Sequence, residues 1–482
     1  MLKIILKGHD NYYGVADVVR AFWHHPAEDR EAGCVTCDEA PDQILISEAL
    51  PGSTKCCSPD GRINVELPAV TSPYSCGREV KRSVYQALAG LSGRKAPWGC
   101  LTGIRPTLIA GEEKDPSLLA DRYFVRPDKA ELAWETYKNE KRILGGLSEE
   151  DLNIYVGIPF CPSRCEYCSF ISSDIHYHMG RLRSYLDALE GEIKYLGPLI
   201  RRNISTLYIG GGTPTVFDDD DFDRLLDIVY GSIPLGISTE VTVEAGRPDT
   251  ITRHKLESMR VRGIGRVCIN PQTMNSETLQ KLNRRHTAED TVRVYEMARK
   301  AGFEVINMDL IAGLKYENAE DHIESVRRLI DLAPENITVH TLYKKRRAQM
   351  SMKDVMGDEN DDVDRAVSMG HSLLREAGYI PYYLYRQKDT GHGLENTGFA
   401  KPGTECSYNV AMMTDARDVL SFGAGGMSKR VFDRQGDKYR VERCPCIKDV
   451  IGYIDSWEKM AQRKADFFDI IGGDQHTGDV TK

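Results

Sequence analysis

The chain has 482 residues, of which 41% are hydrophobic and 28% charged, and its formal charge is −9. At roughly 150 residues per domain this length predicts about three domains. No apolar run approaches the roughly 20 residues needed to cross a bilayer, and the acidic balance gives no general attraction to nucleic acid. Thirteen cysteines are scattered through a chain without a secretory apolar segment. That pattern points to a reducing cytoplasm and to metal or cluster chemistry, not to a disulfide framework.

Residues 1–150 read as a separate α+β domain. MLKIILKG opens as a strand, Tyr13–His24 has helical spacing, and Gln43–Leu50 and Arg62–Leu67 are further strands. Arg78–Leu91 is an amphipathic helix with Val80, Val84 and Leu88 on one side. Trp98–Thr107 (WGCLTGIRPT) is turn-rich, and Pro116–Leu147 is helical and highly charged. Cys34, Cys37, Cys56, Cys57 and Cys76 also fall here; a structural zinc, a second cluster, or plain thiols on a surface loop are all readings of that spacing.

From Leu152 strands alternate with helices, the mark of a parallel sheet with crossover helices. The expected strands are Ile154–Ile158, Thr206–Ile209, Glu240–Glu244, Arg266–Ile269, Glu304–Leu310 and Asn336–His340. The expected helices are Arg181–Leu196, Asp221–Tyr230, Arg253–Arg262, Ala288–Ala301 and Ala319–Leu332, with the acidic run at 218–221 capping the second. Six βα units over residues 151–345 predict a partial barrel of the α/β class. A mostly helical C-terminal domain, 346–482, follows, with helices over Asp361–Ala377 and Val450–Phe468, a tyrosine-dense stretch at Tyr379–Arg386, a glycine-punctuated one at Pro402–Ser428, and a flexible tail.

The first barrel strand runs into IYVGIPFCPSRCEYCS, which places Cys161, Cys165 and Cys168 in a C-x3-C-x2-C loop. Three thiolates can hold three irons of a [4Fe–4S] cube and leave the fourth iron open. Zinc ligation or unliganded thiols remain alternatives, although zinc sites usually pair their ligands two plus two. Further chemistry gathers at the other strand ends, where barrel enzymes keep their sites. Gly210-Gly211-Gly212-Thr213-Pro214 lets bare backbone approach a ligand. Glu244 is either a carboxylate that can bridge ribose hydroxyls or a solvated loop charge, Gln272 offers donor and acceptor, Arg284 is either a fork for a carboxylate or a helix-end surface charge, and Asp309 is an acid in an apolar run that needs partners.

These motifs, YVGIPFCPSRCEYCSF, YIGGGTPT, VEAGRPDT, GIGRVCINPQTMN, LNRRH and INMDLIAGL, resemble the radical SAM superfamily. Within it they are similar to the oxygen-independent coproporphyrinogen III oxidases and their haem-chaperone relatives. LTGIRPT and YYLYRQKDTGHGLENTGFAKPGTECSYN make the chain look most like the coproporphyrinogen dehydrogenase, or HemZ, type. The resemblance implies a partial (βα)6 radical SAM barrel with a [4Fe–4S] cluster on Cys161, Cys165 and Cys168. It implies S-adenosylmethionine contacts from Tyr155, Gly211, Gly212, Thr213, Glu244, Gln272, Arg284 and Asp309, with Tyr155, Glu244 and Arg284 also catalytic, and two cofactor molecules in the best-known members. The implied reaction is oxidative decarboxylation of two coproporphyrinogen III propionates to the vinyls of protoporphyrinogen IX in haem biosynthesis, with an electron donor such as flavodoxin or ferredoxin. Propionates call for cations at the mouth, and Lys344, Lys345, Arg346, Arg347 and Arg386 are the candidates.

The chain departs from the oxidases at Gly157, where they usually carry histidine, and at Phe170, where they carry a further cysteine. It departs from the chaperones at Cys406-Ser407-Tyr408-Asn409, which lacks their histidine but keeps a cysteine that could ligate haem. The alternative functions are thus haem delivery, or another radical reaction on a tetrapyrrole.

Overall fold

The computed structural model describes residues 1–23, 25–71, 75–103, 105–168, 173–342, 360–387, 393–435 and 438–469. They pack into two units, one of residues 1–138 with 384–396 and one of 139–383 with 397–482. Lys344 to Arg347 and Phe170 lie outside the described residues, as does the C-terminal tail.

The first unit contains β1 (Leu2–Lys7), α1 (Tyr12–Arg20), β2 (Ala27–Asp29), β3 (Cys34–Cys37), β4 (Gln43–Leu50), β5 (Ser53–Cys57), β6 (Asn64–Pro68), α2 (Cys76–Ser92), α3 (Pro106–Glu113), α4 (Pro116–Tyr123) and most of α5 (Pro127–Gly145). Its sheet runs β2-β3-β1-β4-β5-β6, and only β1 and β4 are parallel. Val80, Val84 and Leu88 are buried on α2, as their spacing predicts. Glu79 on the same helix is also buried; it accepts from Val70 N, Thr71 N and Oγ1, and Arg82 Nη1. The segment expected as one charged helix is two, because Phe124 adopts φ +60° and Pro127 restarts the chain. Cys34, Cys37, Cys56 and Cys57 are on strands β3 and β5, not on a surface loop, and Cys76 opens α2. Among the described residues, which include all thirteen cysteines, none is in a disulfide.

Arg386, expected at a substrate mouth, belongs to this unit's interior packing. Its guanidinium stands over Trp98 at 5.6 Å and donates to the carbonyls of Leu101 and Gly393. Nearby, buried Glu395 accepts from Trp98 Nε1 at 2.8 Å and from Lys129 Nζ at 2.5 Å.

The second unit holds β7 (Leu152–Ile158), β8 (Phe160–Cys161), β9 (Ser173–Asp174), α6 (Leu182–Leu196), β10 (Ile204–Gly211), α7 (Asp219–Ser232), β11 (Glu240–Glu244), α8 (Arg253–Val261), β12 (Arg266–Cys268), α9 (Ser276–Lys281), α10 (Ala288–Lys300), β13 (Val305–Ala312), α11 (Ala319–Leu332) and β14 (Asn336–Thr341). It continues with α12 (Asn360–Glu376), β15 (Ile380–Arg386) up to Tyr383, β16 (Glu395–Ala400) from Thr397, α13 (Ser407–Thr414), β17 (Asp418–Phe422), β18 (Met427–Gln435), β19 (Lys438–Pro445), α14 (Val450–Ile454) and α15 (Trp457–Phe467). The six expected strands form the parallel core β7-β10-β11-β12-β13-β14. Covered on both faces, they read as apolar runs: every residue of β7 except Tyr155 is buried. Asp218 caps α7 through Asp221 N, and capping boxes at Thr287/Asp290 and Asn318/Asp321 start α10 and α11.

The C-terminal part supplies the expected helices together with strands. Antiparallel β16 pairs with β14 at one flank, and β17 lies parallel to β7 at the other, in the register Asp418↔Leu152 to Phe422↔Val156. The helix expected over Val450–Phe468 is interrupted at Asp455–Ser456. Buried Glu192 on α6 ties this part to the core, accepting from Lys464 Nζ, Tyr453 Oη and Gly423 N. Among the described residues no helix is long and apolar enough to cross a membrane.

Candidate active site at the carboxyl ends of the barrel strands

The cysteine loop leaves β7 at Pro159, whose carbonyl accepts from Ser173 N, and β8 pairs with β9 to form its neck. The loop is fastened to the turn after α9: Ser163 Oγ donates to Asn283 O, and Asn283 Nδ2 donates to Arg164 O. Cys165 is buried, while Cys161 and Cys168 are half-buried. Thr213 Oγ1 reaches Cys161 Sγ at 3.6 Å, so the glycine turn and the cysteine loop meet directly.

Two buried guanidinium groups converge on Cys165. Arg284 Nη1 is 3.9 Å from its sulfur and donates to Tyr167 Oη at 2.9 Å, while Nη2 donates to the carbonyls of Gly246 and Asn270. Arg247 Nη1 is 3.6 Å from the same sulfur and 3.2 Å from Ser163 Oγ. Asp249 grips the other edge of Arg247 with two bonds of 2.9 Å, and His286 Nδ1 stands 3.7 Å from that carboxylate. Burial alone would raise Asp249, but His286 and Arg247 hold its carboxyl far below the ordinary range.

The glycine turn is built for close approach. Gly211 adopts φ +112°, and a Cβ there would stand 2.8 Å from Tyr155 Oη; a Cβ at Gly212 would stand 2.4 Å from Phe160 O. Gly212 N and Thr213 N donate to Ile158 O and Phe160 O, and Gly211 N donates to Glu244 Oε2 at 2.7 Å. Glu244 Oε1 accepts from Tyr208 Oη at 2.8 Å. Burial pushes the Glu244 carboxyl up to about 7, against those two bonds and with Asp309 adding to the rise.

Tyr155 joins a stack with Tyr208 and Tyr408, with ring centroids 6.3 Å from each and 4.7 Å between the other two. Gln272 adopts φ +72°, and its backbone bridges β13 through Asp309 O and Ile311 N. Asp309 accepts from Asn307 Nδ2 at 2.8 Å and has His340 Nε2 at 3.7 Å. Burial raises the Asp309 carboxyl, but His340, Asn307 and Thr338 outweigh it and keep it below the ordinary value.

Cys161, Cys165, Cys168, Gly211, Gly212, Thr213, Glu244, Gln272 and Arg284 lie at the carboxyl ends of adjacent strands or in the loops that follow them, and Tyr155 and Asp309 lie within β7 and β13, whereas Arg386 belongs to the first unit. Arg247, Asn270, His286, His340, Tyr208 and Tyr408 belong there too and were not singled out as site residues from the sequence. Arg247, Asn270, His286, Tyr208 and Tyr408 stood inside quoted motifs, but the stacking of Tyr208 on Tyr408 joins residues 200 positions apart and has no local pattern. Cys406 is 3% exposed, its thiol pushed up to about 12 by burial, and it faces Thr242 at 4.0 Å; a haem ligand needs the opposite. A Cβ at Gly157 would stand 3.1 Å from Ala424 O and 3.3 Å from Phe422 O, so β17 and the turn after it occupy the room that a histidine there requires.

Residues 155–329 match the family model of the radical SAM superfamily. The oxygen-independent coproporphyrinogen-III oxidase-like protein HemZ of Bacillus subtilis is 34% identical over 457 residues, covering 90% of this chain and 89% of that protein. The chain belongs to the radical SAM superfamily, in its HemZ-like branch. The haem chaperone HemW of Escherichia coli is 28% identical over 284 residues, covering 58% of this chain and 71% of that protein. The solved coproporphyrinogen III oxidase HemN of Escherichia coli shares the fold, with a TM-score of 0.53 and 22% identity over 66% of this chain and 72% of that one.

Radical SAM enzymes use a [4Fe–4S] cluster and S-adenosylmethionine, and the residues present fit both. Among the described residues no three His, Cys, Asp or Glu side chains converge on one ion, whereas a cube takes one thiolate per iron and its cysteines stand apart. The guanidinium groups of Arg247 and Arg284 stand 3.6 and 3.9 Å from the Cys165 sulfur, as N–H donors to a cluster-ligating sulfur would. Gln272 Oε1, Asn270 Oδ1 and Arg284 Nε are buried without a hydrogen-bond partner, which a polar ligand satisfies.

Proposed function

We propose that the chain is an oxygen-independent oxidoreductase of the cytoplasm that decarboxylates two propionates of coproporphyrinogen III to give protoporphyrinogen IX. The observation that carries this reading is the convergence of Cys161, Cys165 and Cys168 with the Gly211–Thr213 turn, Glu244, Gln272, Arg284 and Asp309 at one end of the parallel core. The HemZ relative's name, over most of its length, supports the choice of substrate.

Cys161, Cys165 and Cys168 would hold the cluster, three thiolates for its four irons, which would leave one iron without a protein thiolate. When bound, cluster and S-adenosylmethionine supply a one-electron cleavage that gives a 5′-deoxyadenosyl radical. The glycine turn would receive the methionine end, with Arg284 near its carboxylate. Glu244 would accept ribose hydroxyls, exchanging its bond from Tyr208 for them, and Gln272, Asp309 and Tyr155 would flank the adenosyl group. Each propionate gives up a β-hydrogen atom, CO2 and one electron to become a vinyl. The hydrogen ends on 5′-deoxyadenosine and the electron on an external acceptor; flavodoxin or ferredoxin is the proposed donor to the cluster.

The HemW relatives favour a second reading, haem delivery, against which the buried Cys406 and its missing histidine neighbour weigh. The deciding experiment is anaerobic: reconstituted protein, S-adenosylmethionine, reductant and coproporphyrinogen III, with porphyrins followed by mass. Loss of two carboxyl groups with 5′-deoxyadenosine supports the decarboxylase, and Cys165→Ser abolishes both. Deoxyadenosine without decarboxylation indicates another tetrapyrrole reaction. Stoichiometric haem binding with neither product overturns the proposal in favour of delivery.

A further inference from the structure

We infer that Arg247 is a positioning residue that fixes the Cys165 sulfur and raises the reduction potential of the cluster bound there. The inference rests on the cysteine assignment proposed above. Its basis is the placement of a charge that the cofactor contacts do not use. Arg247 is 3% exposed, and all its described bonds go to protein groups: Nε and Nη2 to Asp249, Nη1 to Ser163 Oγ and Cys165 Sγ.

Burying a guanidinium is costly unless it is paired and hydrogen-bonded. The bidentate Asp249 meets that need and also sets the plane of the fork, leaving Nη1 aimed at the loop. His286 Nδ1 stands 3.7 Å from Asp249 Oδ1, the oxygen that accepts from Arg247 Nε. Ser163 is bonded both to Arg247 and to Asn283 O, so the same nitrogen locks the first turn of the cysteine loop against the end of α9. Arg284 is a second cation on the same sulfur at 3.9 Å, but its Nη groups are shared with Tyr167 and two carbonyls.

Reduction adds one negative charge to the cluster. A buried cation and an N–H donor at a ligating sulfur stabilise the reduced form more than the oxidised one, and hydrogen bonds to the sulfurs are among the levers that set cluster potentials. Arg247 is placed to supply both effects at one cysteine.

The test is the midpoint potential of the full-length reconstituted protein, read by EPR during reductive titration without S-adenosylmethionine. Arg247→Gln keeps an N–H donor but removes the charge. It is expected to retain the iron content of the unaltered chain and to shift the potential downward, by about a tenfold change in the reduction equilibrium, or ~59 mV for one electron. Arg247→Lys keeps the charge and should recover part of the shift. An Arg247→Gln protein with full iron and an unchanged or higher potential overturns the inference. If Arg247→Gln takes up no iron, Arg247→Lys is expected to load it; a folded Arg247→Lys chain that stays empty also overturns the inference. A Cys165→Ser chain that assembles the same cluster defeats the cysteine assignment and this inference with it. A normal cluster whose potential ignores Arg247 defeats the inference alone.

Discussion

Tyr208 Oη donates to Glu244 Oε1 at 2.8 Å, and the other oxygen of that carboxyl accepts Gly211 N at 2.7 Å. One side chain thus joins the ends of β10 and β11 before any ligand arrives. It is also a carboxyl whose charge is held in balance, because burial pushes it up to about 7 from an ordinary 4.5.

With the ribose contact proposed for Glu244, that value sets a pH dependence for cofactor binding. Ribose hydroxyls are held best by the ionised form, so S-adenosylmethionine affinity should rise through pH 7, about tenfold between pH 6 and 8 for a group titrating there. Glu244→Gln should flatten the profile. Stability carries the opposite sign: the folded protein keeps a proton that the unfolded chain loses, so this group destabilises increasingly as pH rises from about 4.5 to about 7. Anaerobic titration calorimetry at three pH values measures the first effect, and a flat profile for the unaltered chain would remove Glu244 from the contact.

Gly212 and Gly231 should respond to alanine in opposite directions. A Cβ at Gly212 meets two backbone oxygens, Phe160 O at 2.4 Å and Ile158 O at 2.9 Å, whereas at Gly231, within α7, nothing lies within 4 Å. Gly212→Ala is expected to cost about 1–3 kcal/mol and to loosen the neck of the cysteine loop. Gly231→Ala should add about 0.5–1 kcal/mol. Urea midpoints of the two variants provide the comparison.

Arg284 donates to three acceptors from a position that is 3% exposed. Arg284→Met should cost about 3 kcal/mol by leaving Gly246 O and Asn270 O without their donor. Arg284→Lys should recover only part, since one ammonium cannot span the same fork. Thermal unfolding of the protein before reconstitution isolates this structural term from any role toward the cofactor.

In the first unit, Lys129→Met should destabilise by about 3–5 kcal/mol, because Glu395 is left charged and buried. The double variant Lys129→Met/Glu395→Gln is expected to be more stable than Lys129→Met alone. Trp98 shares the Glu395 carboxyl, and its fluorescence, isolated in a background with Trp23, Trp134 and Trp457 replaced by phenylalanine, reports the unfolding of that unit. Equal loss in the single and double variants would mean that packing volume, not charge, decides the site.

The barrel strands were legible to within about two residues, because a strand buried on both faces must be an apolar run whatever surrounds it. Two of the strands that were missed are polar in sequence, although the apolar strands β15 (IPYYLYR) and β17 (DVLSF) of the C-terminal part were missed as well. Ser53–Cys57 reads STKCC and Glu395–Ala400 reads ENTGFA, and the latter is buried only because Lys129 and Trp98, far away in the chain, satisfy its glutamate. The same distinction applies to the site. Cys161, Cys165, Cys168 and the glycine turn are local motifs, whereas Arg247 lies in GRPDT, which reads as an exposed turn until Asp249, Ser163 and Cys165 close around it.

The pairing of β17 with β7 joins Asp418 to Leu152, and Asn153 Nδ2 donates to Asp418 O across 265 positions of sequence. The strand that leads into the cysteine loop therefore has one unpaired edge during synthesis until Asp418–Phe422 has been made. Order along the ribosome's exit is the reverse of importance here: the loop that carries the chemistry emerges early, and the strand that seals its support emerges late. Such non-local closure makes for slow folding. It also leaves β7, the strand that leads into the cysteine loop, with an open edge in an unfinished chain, where edge-to-edge aggregation competes with assembly.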